Sequence, residues 1–302
     1  MGPSQPLFAG TTASILLAVV CVMQVRQLRT GVEIVLVPVT VTDEQNRYVT
    51  NLRKEHFQIL EDRIEQKIES FSTEDVSMSL GILLDTSSSM KHVIKEANRH
   101  VNQCFKASDL RDEFFLVLFA SKVQPATEFT TNIGTLQNRI LFLNAKGKTA
   151  LYDAVYDGLM KIREGVNPRK AIVIASDGGE NNSRHGAREL KAMIREQDVQ
   201  VYTIGNVYDG AIRELTQLTG GRALTGVNTG SLGNVCSAMV EELKYQYMLG
   251  YKSTNRGRDG SWRDIRIKVT PPLGLSKLQV RNKRGYYAAD ERDGLDANRA
   301  VQ

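Results

Sequence analysis

Five residues stand out for what they could bind. Residues 85–89 read Asp-Thr-Ser-Ser-Ser, so one carboxylate, Asp85, is followed by two alternating hydroxyls, Ser87 and Ser89. Asp177 sits in a second acidic turn, Ser176-Asp177-Gly178-Gly179, and Thr149 follows Gly147-Lys148 at the predicted start of a helix. All five are hard oxygen donors, and only two are carboxylates. Such a set suits Mg²⁺, with Mn²⁺ or Ca²⁺ as alternatives. Two carboxylates brought together without a cation repel, and one of them tends to hold a proton; a divalent ion removes the conflict. The plainer alternative is that Asp85 and Ser89 cap a helix and Asp177 begins a turn.

Short apolar runs supply the elements that would bring these residues together. Ser79–Leu84 (SLGILL), Glu113–Ala120 (EFFLVLFA), Ala171–Ala175 (AIVIA) and Val199–Ile204 read as strands, the continuously apolar ones buried on both faces. Val123–Phe129 suits an antiparallel partner for the second of them. Between them lie helical periodicities over Lys91–Ala107, about 133–143, from Thr149 onward, Arg188–Arg195, Ala211–Leu218 and Leu232–Leu243. Strands alternating with helices predict a doubly wound, mostly parallel α/β sheet over 78–244. Ligands bind at the carboxyl ends of such strands, where Asp85 and Asp177 fall.

The flanks are β in character. Val37, Val39 and Val41 share one parity in VEIVLVPVTVT (32–42), and Pro38 suggests an edge strand. Phe57, Ile59 and then Ile64, Ile68 and Phe71 suggest two more short strands around a Glu61-Asp62 turn. After the α/β segment, Tyr245–Tyr251, Trp262–Val269 and Leu278–Val280 read as strands. Ile265, Ile267 and Val269 lie on one face, with Arg266 and Lys268 on the other. Neither flank is large enough for a core of its own, so the two are expected to pair into a small β-sandwich flanking the α/β domain. The expected organisation is a leader over 1–30, β segments over 31–75 and 245–288, the α/β domain over 78–244 between them, and a disordered tail over 289–302.

The set Asp85-x-Ser87-x-Ser89, then Thr149, then Asp177 resembles the von Willebrand factor A domain with its metal-ion-dependent adhesion site. Thr149-Ala-Leu-Tyr-Asp153 and Asp177-Gly-Gly-Glu-Asn181 are similar to the segments around those positions in the family. The resemblance covers about 78–244 and implies a Rossmann-like fold. It also implies a metal held by Asp85, Ser87, Ser89, Thr149 and Asp177, a protein partner whose Asp or Glu completes the coordination, and no catalysis. Neutral hydroxyls leave the ion with charge to spare, which draws in that carboxylate. The flanks, with Gln246-Tyr247 and Arg284-Gly285-Tyr286-Tyr287, are similar to a bacterial group of exported proteins related to this domain. Alternatives are a non-catalytic subunit of a transport or chelatase-like assembly, or a structural module of the cell envelope.

Other classes are excluded on the residues. The chain has 302 residues, 41% hydrophobic and 24% charged, which is ordinary for folded protein. Three cysteines exclude a disulfide scaffold. Cys104 lies on an apolar helix face and Cys236 on another predicted helix; their pairing is left open. Gly147-Lys148-Thr149 lacks the earlier glycine of a phosphate-binding loop, since Phe142 stands there. His92 follows Ser89 by three residues, but no nucleophile elbow is present. Asp153 and Asp157 share a helix face opposite the apolar stripe, read as solvated rather than as a second metal site.

The net charge is 39 − 34 = +5. Residues 252–284 hold ten basic and two acidic residues, so this stretch carries +8 and the remainder −3. Its charges alternate with core-facing residues and are read as a solvated sheet face; no nucleic-acid module fits. At the N-terminus the apolar run 13–23, extended back to Leu7, reads as a cleaved signal or a membrane anchor. Either implies an exported protein, periplasmic, extracellular or membrane-anchored.

Overall fold

The computed structural model describes residues 34–73, 76–92, 94, 105, 108–195, 197–224, 232–274 and 277–289, all within one compact unit. In chain order the strands are β1 (Ile34–Thr42), β2 (Phe57–Glu61), β3 (Ile64–Gln66), β4 (Ile68–Ser72), β5 (Met78–Asp85), β6 (Glu113–Phe119) and β7 (Val123–Thr130). Then follow β8 (Arg169–Ala175), β9 (Gln200–Ile204), β10 (Ala223–Leu224), β11 (Tyr247–Lys252), β12 (Trp262–Val269), β13 (Gln279–Asn282) and β14 (Gly285–Tyr287).

Six of these strands form the central sheet, in the order β10-β9-β8-β5-β6-β7. Every pair is parallel except β6–β7. Each face of this sheet carries its own apolar layer. On one face Leu80, Leu84, Phe114 and Leu116 pack with Leu136 and Ile140 of helix Ile133–Ile140 and with Met239, Val240 and Leu243 of helix Leu232–Lys244. On the other, Leu83, Phe115, Val117 and Ile174 pack against helices Leu151–Lys161, Ala187–Arg195 and Gly210–Leu218. Burial on both faces is why these strands are apolar throughout rather than alternating. The chain moves from β5 to one side for β6 and returns to the other side for β8. The strand order therefore reverses between β5 and β8, where an open α/β sheet forms its crevice.

The flanking strands form two four-stranded antiparallel sheets, β13-β1-β11-β4 and β14-β12-β2-β3. Each sheet contains strands from both sides of the α/β segment. Val37, Val39 and Val41 of β1, Ile59 of β2, Leu249 and Tyr251 of β11 and Ile265 of β12 belong to one buried cluster. Burying a valine of this kind stabilises by about 1.5–3 kcal/mol, so this shared cluster contributes substantially to holding the flanking strands. Hydroxyls tie them too: buried Glu61 accepts from Tyr251 (2.7 Å), Ser253 (2.5 Å) and Tyr286 (3.0 Å). Tyr247 donates to the Val49 carbonyl at 2.6 Å and accepts from the Leu52 amide.

Several expectations are corrected. Pro38 does not lie on an edge strand, because β1 sits between β13 and β11. Yet β13 pairs only with Val39–Thr42, so among the described residues Pro38 has a ladder neighbour on one side alone, Met248. The expected strand through Ile64 and Phe71 is broken into β3 and β4. β2 turns into β3 through Asp62 and Arg63, both at positive φ (47° and 72°), the conformation a tight hairpin demands. The basic C-terminal stretch is not uniformly solvated. Arg263 shares the parity of Ile265 and is 4% exposed, bonded to Asp259, Ser261 and the Gly257 carbonyl. Lys283 is buried and donates to Asp198 at 2.7 Å. The helix expected to reach 143 ends at Ile140. Lys91, His92 and Ile94 are helical, whereas the rest of the helix expected over 91–107, Cys104, the leader and residues 290–302 lie outside the described residues, as does the side chain of Cys236. No described helix is long and apolar enough to cross a membrane.

Candidate metal centre

The candidate residues emerge where β5 and β8 end side by side. Leu84 pairs with Ala175, so Asp85 and Ser176 leave adjacent strands at one level. Asp85 is fully buried and both of its carboxylate oxygens are used. Oδ1 accepts the Ser87 amide at 2.7 Å, and Oδ2 accepts the Ser176 hydroxyl at 2.6 Å. The first of these bonds bends the chain back after the strand, as an aspartate does in a turn. It aims Ser87 and Ser89 at one another, with hydroxyls 3.2 Å apart. Ser89 donates to Asp177 Oδ1 at 2.8 Å. Asp85, Ser87, Ser89 and Asp177 thus form one continuous hydrogen-bonded set drawn from two strand ends.

Thr149 is tied instead to Asn181, four residues after Asp177. Its amide donates to Asn181 Oδ1 at 2.9 Å, and its carbonyl accepts the Asn181 amide at 3.1 Å. Thr149 is buried, beside the start of helix Leu151–Lys161. The segment after Asp177 is pinned to that same helix start. Glu180 accepts the amides of Tyr152, Asn182 and Ser183 and the Ser183 hydroxyl. Asp153 accepts the amides of Arg184 and His185 and a 2.8 Å bond at His185 Nδ1, while the His185 ring stacks on Tyr156.

These contacts correct the solvated-face reading. Asp153 is 7% exposed, held under the 180–186 loop, whereas Asp157 is exposed. Ser176, Glu180 and Asn181 are the positioning residues that spacing did not reveal as such, although Glu180 and Asn181 lie in a segment that already looked familiar. His92 is exposed, and Ser89 donates to a carboxylate rather than to an imidazole base.

The electrostatics fit a cation. Burial raises the Asp85 carboxyl above its ordinary value; bonds from Ser176 and Ser87 oppose this, and the neighbouring charge of Asp177 adds to it. None of these influences is a cation. Among the described residues no three of His, Cys, Asp and Glu cluster as metal ligands. A metal here would therefore rely on hydroxyls and water, as Mg²⁺ readily does.

Residues 80–180 match the family model of the von Willebrand factor type A domain. No curated protein matches the chain. Among solved structures, the chain is similar to the von Willebrand factor type A protein from Catenulispora acidiphila. The TM-score is 0.50 at 10% identity, over 86% of this chain and 75% of that one. It is similar to proximal thread matrix protein 1 from the mussel byssus (TM-score 0.51, 13% identity), over 61% of this chain and 51% of that one. The chain thus spans about half of the byssus protein. BatB from Bacteroides thetaiotaomicron aligns at 18% identity and TM-score 0.46, over 55% of this chain and 98% of that one. The first two likenesses are of fold, a mixed α/β architecture with a mostly parallel six-stranded sheet.

Proposed function

On the premise that residues 80–180 are von Willebrand factor type A domain sequence, we propose that the chain is a non-enzymatic protein-interaction module. Its carboxyl edge would hold a divalent cation, Mg²⁺ by preference. Ser87, Ser89 and Thr149 would offer hydroxyl oxygens, and Asp177 and Asp85 the negative charge. Asp85 has both oxygens engaged by protein donors, so it would act on the ion through water. Bound there, the ion supplies unneutralised positive charge, which an Asp or Glu of a partner protein would meet.

One observation carries this reading: two carboxylates and two hydroxyls from separate strand ends form one connected set at the point where the strand order reverses. The apolar run 7–23 supports export, through a cleaved leader or an anchor. The test is capture from envelope extract with the full chain, in Mg²⁺ and then in chelator, with Asp177→Ala as control. A partner retained only by wild type with metal supports the reading. A partner retained equally by the variant in chelator sinks it.

We read the two antiparallel sheets as one β-sandwich formed by 31–75 and 245–288, with the α/β domain of 78–244 inserted in it and 289–302 as a tail. The shared cluster around Val39, Leu249 and Ile265 supports this. Limited proteolysis should leave the two flanks associated after a cut; free release of residues 31–75 would overturn it.

A further inference from the structure

We propose that the segment 141–148 is the partner-selecting rim of the carboxyl edge, and that its occupant is an acidic segment of a protein. That segment would carry a second carboxylate and an apolar residue beside the one that meets the ion. The inference rests on the metal-dependent reading above and specifies the chemistry of its partner.

The rim is fastened to the metal loop through the two residues of Asp85–Ser89 that are not candidate ligands. The Lys146 amide donates to the Thr86 carbonyl at 2.8 Å, and the Ser88 amide to the Gly147 carbonyl at 3.2 Å. The Gly147 amide donates to the Ser88 hydroxyl at 3.0 Å, and the Lys148 amide to the Ser121 hydroxyl at 2.8 Å. Gly147 has φ +92°, and a Cβ there would lie 2.6 Å from Ser121 Oγ, so this packing requires glycine. Asn182 donates to the Ser121 carbonyl at 2.8 Å, which draws the segment after Asp177 to the same point. The backbone that displays these side chains is therefore fixed before a partner arrives, which lowers the ordering cost of binding.

Lys122, Lys146 and Lys148 are exposed, and among the described residues none pairs with a carboxylate. Leu141 and Phe142 are 52% and 85% exposed, while Leu143 and Ala145 in the same segment pack into the core. Phe142 precedes Gly147 by five residues, a reach of at most about 18 Å. Three uncompensated cations beside an ion site favour an occupant of opposite charge, and the exposed aromatic gives that occupant an apolar contact. Rim charges of this kind set association rate and salt dependence.

The test uses the full chain and two fluorescent peptides in anisotropy, with Mg²⁺ or chelator. One peptide carries Asp-Glu-Phe-Asp between Gly-Ser ends; the other keeps a single Asp, with Gln and Asn replacing the other acids. With Mg²⁺ the acidic peptide should bind wild type more tightly. Lys146→Ala and Lys148→Ala together should weaken it about tenfold, at about threefold per lysine, and flatten its salt dependence. The single-Asp peptide should bind both proteins alike. Equal binding of the acidic peptide by wild type and the double variant overturns the inference and leaves the metal reading untouched. Loss in the double variant, but not in chelator or Asp177→Ala, keeps the rim and removes the metal. Failure of wild type to bind the acidic peptide, or a preference for phosphatidylserine vesicles over it, also overturns the proposal.

Discussion

Two aspartates near the carboxyl edge are pushed in opposite directions. Asp85 is raised, chiefly by burial. Asp153 is raised by burial too, but bonds from His185 and Arg184 overcome this and hold it below the ordinary value of 3.8. A depressed carboxylate leaves the unfolded chain binding more protons in the interval between the two values. Its stabilisation is therefore complete above about pH 4 and is lost as pH falls through the folded value. Asp153→Asn should cost on the order of 1–2 kcal/mol at neutral pH and lose part of the acid-limb slope. Urea midpoints between about pH 6 and about pH 2, in chelator, would check this. An unchanged slope would mean that the 180–186 loop does not hold Asp153 in solution.

At the scale of elements, the end of β9 limits how the segment around Asp85 and Asp177 is built. Gly205 follows Ile204 at φ +103°, and a Cβ there would stand 2.2 Å from the Ser176 carbonyl oxygen, which is backbone and cannot yield cheaply. Ser176 in turn holds Asp85. Gly205→Ala should cost about 2 kcal/mol or more and weaken Mg²⁺ binding, because the strain falls on the residue before Asp177. Calorimetry with Mg²⁺ beside urea unfolding would separate the two effects; full metal affinity in a folded variant would contradict this account. The strands that carry Asp85 and Asp177 were legible because doubly buried strands are apolar runs, and a carboxylate ends each run abruptly. Asn181 and Ser176 were not legible as positioning residues, because their partners Thr149 and Asp85 are remote in sequence. Asp153 looked solvated for the same reason: helix periodicity cannot show a loop that returns to cover its polar face. Pro38 misled because β13 covers only half of β1. Arg263 lay at an inward position all along, but its buried hydrogen bonds depend on the turn at Gly257–Ser261.

Across the whole molecule, one buried carboxylate joins the α/β layers to the flanking sheets. Glu242 on helix Leu232–Lys244 is fully buried, 3.1 Å from Arg222 before β10 and 2.8 Å from Arg281 on β13. Gln246 adds bonds to Tyr202 of the central sheet and Thr40 of β1. Removing one member of such a group leaves the others uncompensated. Glu242→Gln should therefore cost about 3 kcal/mol in urea unfolding. A loss below about 1 kcal/mol would mean that solvent screens the group.

The chain leaves β4 at Ser72 and rejoins at β11, where Met248 stands paired with Ser72. Everything between, including the whole central sheet, is joined to the flanking sheets along the chain through two neighbouring strands whose backbones lie about 5 Å apart. The consequence is mechanical. Tension entering ahead of β1 and leaving after β14 would load the antiparallel sheets and their ties to the α/β layers, Arg281 to Glu242 and Lys283 to Asp198, before β4 and β11 part. In a tethered copy under load, the antiparallel strands and these ties would take the strain ahead of the carboxyl edge.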